Sequence, residues 1–409
     1  MKIFGTHDEQ TIAQFQDVRA RAVDAALMAD GHVGYVMPIG GVAAYRDQVS
    51  VVGVGFDIAC GNAAIRTDMT LAELGDTPEN VRTGLSNFAD DVAATVSFGI
   101  GRKNTAEDAP VDHGLFEDPA WDAVPAKHRR PLLAKARQQL GTVGSGNHYV
   151  DVFADESGVL WVGVHFGSRG FGHTVASAFL ALGQGKSWGE RAPEREVLLD
   201  LAQPMGHDYW HLMNLAGRYA YAGREWVARK VVSMLGAQEV ELVHNHHNFA
   251  WKEIHDGEQV VVVRKGATPA FPGQKGFIGG SMGDDAVIVQ GASVSPDADA
   301  VIAATQREAL YSTVHGAGRV MSRTAAAGKR KRRTGEIISP GRITSEMMDE
   351  WVSAKRVILR GGGLDESPHV YRRLPDVLAA QEQTVQILHT LRPLVVVMAG
   401  ANEFDPYRD

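Results

Sequence analysis

The chain has 409 residues, of which 44% are hydrophobic and 22% are charged, and these proportions are typical of a soluble globular protein with a large core. The formal net charge of −8 argues only weakly against nucleic-acid binding, because an acidic protein can still carry a local basic surface. A single cysteine excludes an internal disulfide and favours a reducing compartment, and no apolar stretch predicts a signal peptide or a membrane span. We therefore expect a cytoplasmic protein with no membrane partner.

Hydrophobic periodicity predicts the elements in chain order. Apolar residues at helical spacing predict helices over residues 8–28, 207–235 and 375–391, and the segment 68–140 is predicted to be mainly helical. Short apolar runs predict strands at Val51 and Val52 and over residues 160–164, 259–264, 286–290 and 394–398. No linker or internal repeat interrupts the chain, so we expect one large domain over residues 1–409.

The only cysteine lies in a glycine-rich loop, Gly53–Gly61. Asp57 and Cys60 stand three residues apart there and can face one cation, for which a thiolate favours a softer metal and a carboxylate a harder one. The same pattern also fits a buried cysteine beside a turn aspartate, and the sequence leaves both interpretations open. Upstream, Asp30 and His32 either orient this site or are a turn aspartate and a surface histidine.

Several histidines also lie in polar loops rather than on apolar faces. Glycines surround Asn147 and His148, His165 ends a predicted strand, and His247 closes a group of three histidines within four residues. Imidazole is the commonest metal ligand in proteins. The side chains that suffice for two metal sites sharing the thiolate are Asp57, Cys60, His148, His165 and His247. Paired metal ions serve phosphoryl and nucleotidyl transfer.

Downstream loops add groups that suit phosphate. The segment Gly279–Gly283 presents backbone N–H groups of the kind that bind anions. His315 lies in a loop with Arg319, where the histidine can act as a covalent nucleophile and the arginine can bind phosphate oxygens. The basic run Lys329–Arg333 is either a solvated surface or a contact to a nucleic-acid backbone.

In this order, the loops resemble those of the RtcB family of GTP-dependent RNA-splicing ligases. The resemblance rests on GVGFDIACG, GTVGSGNHY, HFGSRGFGH, HHNFAWKE, RKGAT, GGSMG and HGAGRVMSR, and matching motifs run from Asp30 to Pro368. It implies a single α+β domain with mixed β-sheets, peripheral helices and a deep active site for two Mn²⁺ ions. It also implies GTP-dependent joining of RNA 3′-phosphate or 2′,3′-cyclic phosphate ends to 5′-hydroxyl ends through a histidine–GMP intermediate, in RNA splicing or repair.

The resemblance further implies roles for individual residues. One Mn²⁺ would be bound by Asp57, Cys60 and His148, and the other by Cys60, His165 and His247. His315 would be the nucleophile that carries GMP. The residues that would contact the nucleotide are Asn147, His148, Asp151, His247, Asn248, Gly279, Gly280, Ser281, Met282, His315, Gly316, Ala317, Gly318, Arg319 and, at the base, Met398.

Three positions depart from the family pattern. Asp151 stands where the family usually has glutamate, and Gly223 precedes Arg224 where the family usually has asparagine. Met398 stands where the family usually has the lysine that touches guanine, and this chain continues beyond it to Asp409. These departures concern base recognition and RNA-end handling, whereas the expected metal ligands and the nucleophile are present.

Two other functions fit parts of the pattern. A metal-dependent phosphoesterase could act on cyclic phosphate ends without ligation, and a non-ligating paralogue with altered nucleotide specificity could bind RNA ends. A histidine placed to accept a nucleotide argues against the phosphoesterase, and the complete ligand set argues against the paralogue. The sequence does not identify the RNA substrate, the oligomeric state or an activating protein partner.

Overall fold

The structure is a computed structural model that describes residues 2–293, 299–330, 337–400 and 403. The helices are α1 (Glu9–Arg19), α2 (Val51–Val54), α3 (Pro78–Thr95), α4 (Ala126–Gln139), α5 (Arg169–Leu182), α6 (Pro204–Met234), α7 (Ala300–Glu308), α8 (Arg323–Ala327), α9 (Ser345–Ala354) and α10 (Leu374–Ala379). The strands are β1 (Lys2–Ile3), β2 (Asp24–His32), β3 (Ile39–Tyr45), β4 (Gln48–Ser50), β5 (Gly61–Thr70), β6 (Tyr149–Ala154), β7 (Val159–Phe166), β8 (Leu198–Asp200), β9 (Glu239–His246), β10 (Asn248–His255), β11 (Glu258–Lys265), β12 (Ala267–Pro269), β13 (Lys275–Ile278), β14 (Ala286–Gly291), β15 (Ser312–Val314), β16 (Gly328–Arg330), β17 (Ile337–Pro340), β18 (Ile358–Arg360) and β19 (Val385–Met398).

The larger sheet has eight strands in the order β13-β14-β19-β6-β7-β5-β9, with β18 paired to β19. All its pairs are antiparallel except that of β18 with β19. The long helix α6 packs on β5 and β7, and α3 packs on β18 and β19. Helices therefore cover the middle of this sheet and leave the loops at its strand ends to form a site.

A second sheet of five strands has the order β1-β2-β3-β11-β10. The short strand β12 follows β11 after Gly266 and pairs with β15, which ends immediately before His315. Gly266 has a φ of +60°, and Ile39 and the ring of His315 occupy the space that a Cβ atom there would need. The β12–β15 pair thus brings the loop that carries His315 to the junction between the two sheets.

The core lies between α5, α6 and these sheets. Its fully buried aromatic side chains include Phe166, Phe171, Phe179, Tyr209 and Tyr219, and burying a large apolar side chain contributes about 1.5–3 kcal/mol. No helix among the described residues is long and apolar enough to cross a bilayer.

The architecture confirms the α+β class, while the assignment of residues 1–409 to one domain stays a prediction. The predicted helix over 207–235 and the predicted strands over 160–164, 259–264 and 286–290 correspond to α6, β7, β11 and β14. In the segment 68–140, α3, α4 and short 3₁₀ turns supply most of the regular structure after β5.

Two of the predicted helices were wrong over much of their length. The helix predicted over 8–28 ends at Arg19, and residues 24–32 instead form β2, which is buried along most of its length between β1 and β3. The helix predicted over 375–391 ends at Ala379, because residues 386–391 pair with β14 as the first half of β19. In both segments, pairing with neighbouring strands overrides a helical spacing of apolar residues.

The strand predicted at Val51 and Val52 was also wrong. The side chain of Ser50 accepts a hydrogen bond from the backbone N–H of Gly53 and starts the helical turn α2. Such a short apolar run does not distinguish a strand from a helical turn. Of the basic run Lys329–Arg333, Lys329 is exposed on β16, and residues 331–333 lie outside the described residues.

We expect the buried cation Arg264 to be essential to this fold. It is fully buried and donates to Glu253 Oε1 (2.5 Å), to Ser312 Oγ (2.7 Å) and to the carbonyl oxygen of Leu310 (2.9 Å). Arg264→Met would remove the cation that pairs with the Glu253 carboxylate, which is 9% exposed and would keep His255 Nε2 at 2.8 Å, and should lower the free energy of unfolding by about 3–5 kcal/mol. Urea unfolding measures this change.

The matched control is Arg46→Met, which breaks the Arg46–Glu258 ion pair, whose side chains are 67% and 64% exposed. Exposed pairs contribute less than about 1 kcal/mol. Equal losses for the two variants would show that burial of the Arg264 charge does not matter.

Candidate metal and nucleophile site

Four strand ends meet at one edge of the larger sheet. Gly61 opens β5 and pairs with Phe166 at the end of β7 and with His246 at the end of β9. Tyr149 opens β6 and pairs with His165 on β7. Since neighbouring strands are antiparallel, the residues before β5 and β6 lie beside those that end β7 and β9. This register brings the loops that carry the predicted ligands together.

The predicted metal ligands form two groups that share the cysteine. Potential ligand atoms of Asp57, Cys60 and His148 lie within 4.8 Å of one another, and so do those of Cys60, His165 and His247. Cys60 Sγ is 3.2 Å from His165 Nε2 and 3.6 Å from His148 Nε2. Asp57 Oδ2 is 3.1 Å from His148 Nε2. The structure therefore juxtaposes all five side chains in the two groups that the resemblance implies.

The chemistry of these donors fits divalent cations. Burial lowers the pKa of His165 and His247 well below the ordinary value, so both imidazoles are neutral and have a lone pair to offer. Nδ1 of His247 is buried and has no hydrogen-bond partner among the described residues. Burial raises the pKa of Asp57, but the hydrogen bond and charge of His148 and the charge of Arg169 outweigh it and hold this pKa at about 2.

Among the candidate ligands, Cys60 is the one whose ligating form depends most on a bound cation, because its thiol is protonated without one. Burial and the nearby charge of Asp57 raise the pKa of its thiol well above the ordinary value. Only a thiolate is a strong metal ligand, and a bound cation offsets the cost of deprotonating a buried thiol. The residues present therefore fit two divalent ions that share one thiolate.

Backbone carbonyl groups orient two of the imidazoles. Nδ1 of His148 is 2.9 Å from the carbonyl oxygen of Val143, and Nδ1 of His165 is 3.1 Å from that of Asn147. Donation from Nδ1–H of His165 leaves its Nε2 as an acceptor next to Cys60, and Nε2 of His148 could likewise offer a lone pair to a cation that takes the place of its contact with Asp57. The loop Gly141–Asn147 thus orients one ligand from each group.

Arg224 on α6 holds the loop that carries Cys60 in place. Its guanidinium is fully buried and donates to the carbonyl oxygens of Ala59 (2.8 Å) and Phe166 (2.6 Å). It also donates to His244 Nε2 at 2.9 Å and lies 2.8 Å from His246 Nδ1. One cation therefore joins the Cys60 loop to the ends of β7 and β9. Substitution by lysine, which lacks this planar fork, would not reproduce these bonds.

His315 lies beside the ligand cluster but is held by a different carboxylate. Its Nδ1 is 2.6 Å from Asp30 Oδ2, and its backbone N–H donates to the same oxygen at 3.1 Å. Asp30 is fully buried, and the rings of His315 and His247 have centroids 4.9 Å apart. With Nδ1–H donated to Asp30, Nε2 of His315 has its lone pair available for attack on an electrophile.

The sequence analysis left open whether Asp30 and His32 orient the site of Asp57 and Cys60, and it did not predict the contact of Asp30 with His315. Asp30 orients His315 rather than Asp57 and Cys60, because β2 and β15 pack against each other at this point. His32 lines the same cavity, with Nδ1 3.0 Å from the carbonyl oxygen of Asp30. Burial lowers the pKa of His32 to about 4. The His315 partnership spans 285 residues of sequence, so no local pattern signals it.

A single cavity of about 280 Å³ contains the whole predicted set. Its lining includes every residue predicted to bind metal or nucleotide: Asp57, Cys60, Asn147, His148, Asp151, His165, His247, Asn248, Gly279, Gly280, Ser281, Met282, His315, Gly316, Ala317, Gly318, Arg319 and Met398. The backbone at Gly279 pairs with that at Gly316, which joins the two glycine-rich loops. These residues come from seven separate stretches of sequence, so only the tertiary fold brings them together.

The wall of the cavity that β6 and β19 form combines polar and apolar groups. On the paired strands β6 and β19, Asp151 lies opposite Val396 and Tyr149 opposite Met398. Asp151 Oδ1 and the Tyr149 hydroxyl are buried without a hydrogen-bond partner among the described residues. Burial raises the pKa of Asp151 well above the ordinary value. Met398 is 7% exposed and packs with Met282 and Val396.

Arg319, which the sequence predicts to bind phosphate oxygens, already has hydrogen-bond partners within the protein. Its guanidinium donates to the carbonyl oxygens of Asp365 (2.8 Å) and Met321 (3.2 Å) and to the Tyr371 hydroxyl (3.2 Å). Glu366, which also accepts from Arg323 and Tyr371, lies 3.4 Å from Arg319. In this arrangement four of the five N–H groups of Arg319 are directed at the cavity wall, so bidentate binding of a phosphate requires it to exchange one of these partners.

Arg169 is a site residue that sequence reasoning did not single out. It begins α5 with a φ of +56°, a left-handed conformation that is strained for a residue with a side chain. Its Nη1 is 3.2 Å from His148 Nδ1, and its guanidinium fills the space where a Cβ atom on Gly144 would lie. Its signal was the HFGSRGFGH segment, in which only His165 was assigned a role.

Comparisons of the sequence with known proteins identify a matching family and several similar proteins. The family model described as "tRNA-splicing ligase RtcB" matches residues 11–399. The chain is 31% identical to the RNA-splicing ligase RtcB of Escherichia coli strain K12, over 91% of this chain and 89% of that protein. It is 32% identical to the tRNA-splicing ligase RtcB of Thermococcus kodakarensis, over 90% of this chain and 86% of that protein. A similar protein from Archaeoglobus fulgidus is 30% identical over 91% of this chain and 87% of its own length.

We expect metal binding near pH 7 to release about one proton more from the wild-type protein than from Cys60→Ala. Asp57 is already ionised and His165 and His247 are already neutral, so the proton that differs between the two proteins is the one that the Cys60 thiol must lose. Since the thiol pKa is raised, this proton makes the apparent affinity for Mn²⁺ rise by about tenfold for each pH unit below that pKa. Calorimetry in buffers of different ionisation enthalpy counts the protons.

The control variant Cys60→Ala should also bind Mn²⁺ more weakly. A proton lost from any other ligand is released by both proteins and cancels in the comparison. Equal proton release by the two proteins would mean that the thiol is not a ligand.

Proposed function

Because this chain belongs to the tRNA-splicing ligase RtcB family, we propose that it is an RNA ligase that uses GTP and two Mn²⁺ ions. It would join RNA 3′-phosphate or 2′,3′-cyclic phosphate ends to 5′-hydroxyl ends through a histidine–GMP intermediate. The relatives carry names of RNA-splicing and tRNA-splicing ligases, so RNA splicing or repair is the proposed context. The single, reduced cysteine suits the cytoplasm as its location.

The observation that carries this proposal is the position of His315. Its ring lies against that of His247, a member of the ligand cluster, while Nδ1 faces the buried carboxylate of Asp30. A hydrolase that activates water between two metal ions has no need of an oriented histidine next to them. An enzyme that transfers a nucleotide through a covalent intermediate needs such a nucleophile, and this supports a ligase over a phosphoesterase.

The residues of the chain suggest how each step would proceed. Asp30 would hold His315 in the tautomer whose Nε2 attacks the α-phosphorus of GTP, forming a P–N bond as pyrophosphate leaves. A 3′-phosphate oxygen of the RNA would then displace His315 from the GMP phosphorus. Finally, the 5′-hydroxyl oxygen would attack the RNA phosphorus and GMP would leave. Bound Mn²⁺ ions would neutralise negative charge that develops on phosphate oxygens.

The cavity wall is suited to hold the guanylate during these steps. The backbone segments Gly279–Met282 and Gly316–Arg319 provide N–H groups on the side of His315. Asn248 accepts a hydrogen bond from the backbone N–H of Gly266 at 2.7 Å, which fixes the orientation of its amide toward the cavity. Asp151, Tyr149 and Met398 would then face the base.

The proposal is tested by incubating the protein with Mn²⁺ and GTP labelled on the α-phosphate, followed by denaturing electrophoresis. The wild-type protein should carry an acid-labile label, and His315→Ala should carry none while it keeps its fold and its Mn²⁺ content. His389→Ala is the control, because that ring pairs with Glu156 at the protein surface. Label on a residue other than His315, found by peptide mass spectrometry, would contradict the assignment.

Met398 should weaken discrimination between nucleotides. A lysine ammonium near guanine O6 and N7 would contribute about 1.5–3 kcal/mol, and a thioether donates no hydrogen bond. Met398→Lys should therefore raise the preference for GTP over ATP in adduct formation by about ten- to hundredfold. Competition between the two labelled nucleotides measures this ratio.

Met205→Lys is a control for the added charge, since Met205 is exposed at the start of α6. Strong GTP selectivity in the wild-type protein that Met398→Lys does not alter would show that another residue reads the base. Asn402 and Arg408, two candidates from the C-terminal segment, lie outside the described residues.

A further inference from the structure

Two exposed histidines form a pair near the start of the long helix α6. His207 and His211 are four residues apart, a spacing that places both side chains on one face of a helix. Their Nε2 atoms are 3.1 Å apart, and their ring centroids are 4.3 Å apart. Neither residue lines the cavity or belongs to the two ligand groups that share Cys60. The pair is therefore separate from the candidate metal and nucleophile site.

The distance between the two Nε2 atoms suits a single divalent cation. A transition metal lies about 2.1 Å from an imidazole nitrogen, so two nitrogens bound to one ion at an angle of about 90–109° are about 3.0–3.4 Å apart. The observed 3.1 Å falls within this range. Helical zinc motifs also present two histidines that are four residues apart on one face. The geometry of the pair is thus that of a chelate.

Both nitrogens are accessible to an ion from solvent. The His207 side chain is 65% exposed, and His211 is exposed as well. Among the described residues, the one hydrogen bond that either Nε2 atom makes is the bond between them. In that bond one ring donates its N–H to the lone pair of the other. A cation can replace this proton and accept a lone pair from each ring.

The backbone beneath the pair is held by packing. Tyr209 and Leu212, on the opposite face of α6, are fully buried. A Cβ atom on Gly206 would lie 2.0 Å from the carbonyl oxygen of Asp200, so α6 approaches the end of β8 closely at this point. Because the helix is fixed without an ion, little backbone entropy is lost when an ion binds.

The charge and the donor type favour some cations over others. Asp208 Oδ1 is 3.8 Å from His207 Nδ1 and adds negative charge beside the pair. The positive end of the helix dipole opposes a cation, but its effect falls off within the first turn, and His211 lies beyond that turn. Imidazole suits Zn²⁺, Ni²⁺ and Cu²⁺, whereas Mn²⁺ is the weakest binder among the first-row divalent ions.

From this arrangement, we propose that His207 and His211 chelate a divalent ion of the Zn²⁺, Ni²⁺ and Cu²⁺ group at the protein surface through their Nε2 atoms. Among the described residues, no third histidine, cysteine or carboxylate groups with the pair, so water completes the coordination. The two nitrogens reach one ion only while residues 207–211 are helical, so the bound ion stabilises the start of α6. The site does not depend on the proposed function, because neither histidine lines the cavity.

Immobilised Ni²⁺ tests the pair, because an ion on a solid support reaches surface histidines and not the buried ligand cluster. The untagged protein is loaded near neutral pH and eluted with increasing imidazole. His211→Ala removes one ring at an exposed helical position, where alanine is favourable, so the fold should be kept. His113→Ala removes an exposed histidine from a different segment. Met205→His combined with His211→Ala keeps two exposed histidines on α6, but two residues apart, where they do not face each other.

Wild-type protein and His113→Ala should be retained alike. His211→Ala should elute at an imidazole concentration at least about tenfold lower, because a single imidazole lacks the second contact of the chelate. The variant with histidines two residues apart should elute with His211→Ala. In solution, calorimetry with Zn²⁺ should count one site fewer in His211→Ala than in the wild-type protein, while titration with Mn²⁺ should give the same count for both.

Equal retention of the wild-type protein and His211→Ala would overturn the chelating pair. Failure of the wild-type protein to be retained would overturn it too, and so would full retention of the variant with histidines two residues apart. An equal Zn²⁺ count in the two proteins would also contradict it, and a lower Mn²⁺ count in His211→Ala would contradict the selectivity. None of these measurements uses GTP or RNA, so they decide the pair independently of the proposed ligase.

Discussion

The site depends on how the first residue of β5 pairs with its neighbours. Gly61 follows Cys60 directly and pairs on one side with Phe166 and on the other with His246. A Cβ atom on Gly61 would clash with the backbone of Asn245, so only glycine allows β9 to approach this closely. A shift of register by one residue would turn His165 to the other face of the sheet. The grouping of the ligands is therefore a consequence of strand pairing.

A buried cation maintains this arrangement at an electrostatic cost. Burial lowers the pKa of Arg224 to about 10, which shows how unfavourable its charge is in the core. Four acceptors on three different segments offset that cost. An apolar residue of similar volume could support an equally stable fold, but it could not fix the carbonyl oxygens of Ala59 and Phe166 relative to each other. In this protein the buried charge serves the position of Cys60 rather than stability.

The candidate site and the fold were predicted from different kinds of information. Residue types in polar loops suggested the metal ligands, and the resemblance to a family implied the nucleotide contacts. All of these residues line one cavity, although their roles stay predictions. Short apolar segments suit helix and strand equally, which is why residues 24–28 and 386–391 were assigned to helices although pairing with neighbouring strands makes them strands. The pairing of Asp30 with His315 and the bracing of Arg319 by Asp365 and Tyr371 are long-range contacts of the same kind.

The ligand cluster and the β6–β19 wall of the cavity are built differently, and this bears on where the chain departs from its family. The cluster is constrained by strand register, by Gly61 and by Arg224, so a change there would displace several candidate ligands at once. The wall consists of side chains on one face of the β6–β19 pair, where Asp151 and Met398 line the cavity. Replacing one of these side chains alters the groups that the wall presents without moving the backbone that holds the candidate metal ligands. Two of the three departures lie on this wall, where the lining of the cavity can change while the ligand cluster and the His315–Asp30 pair are kept.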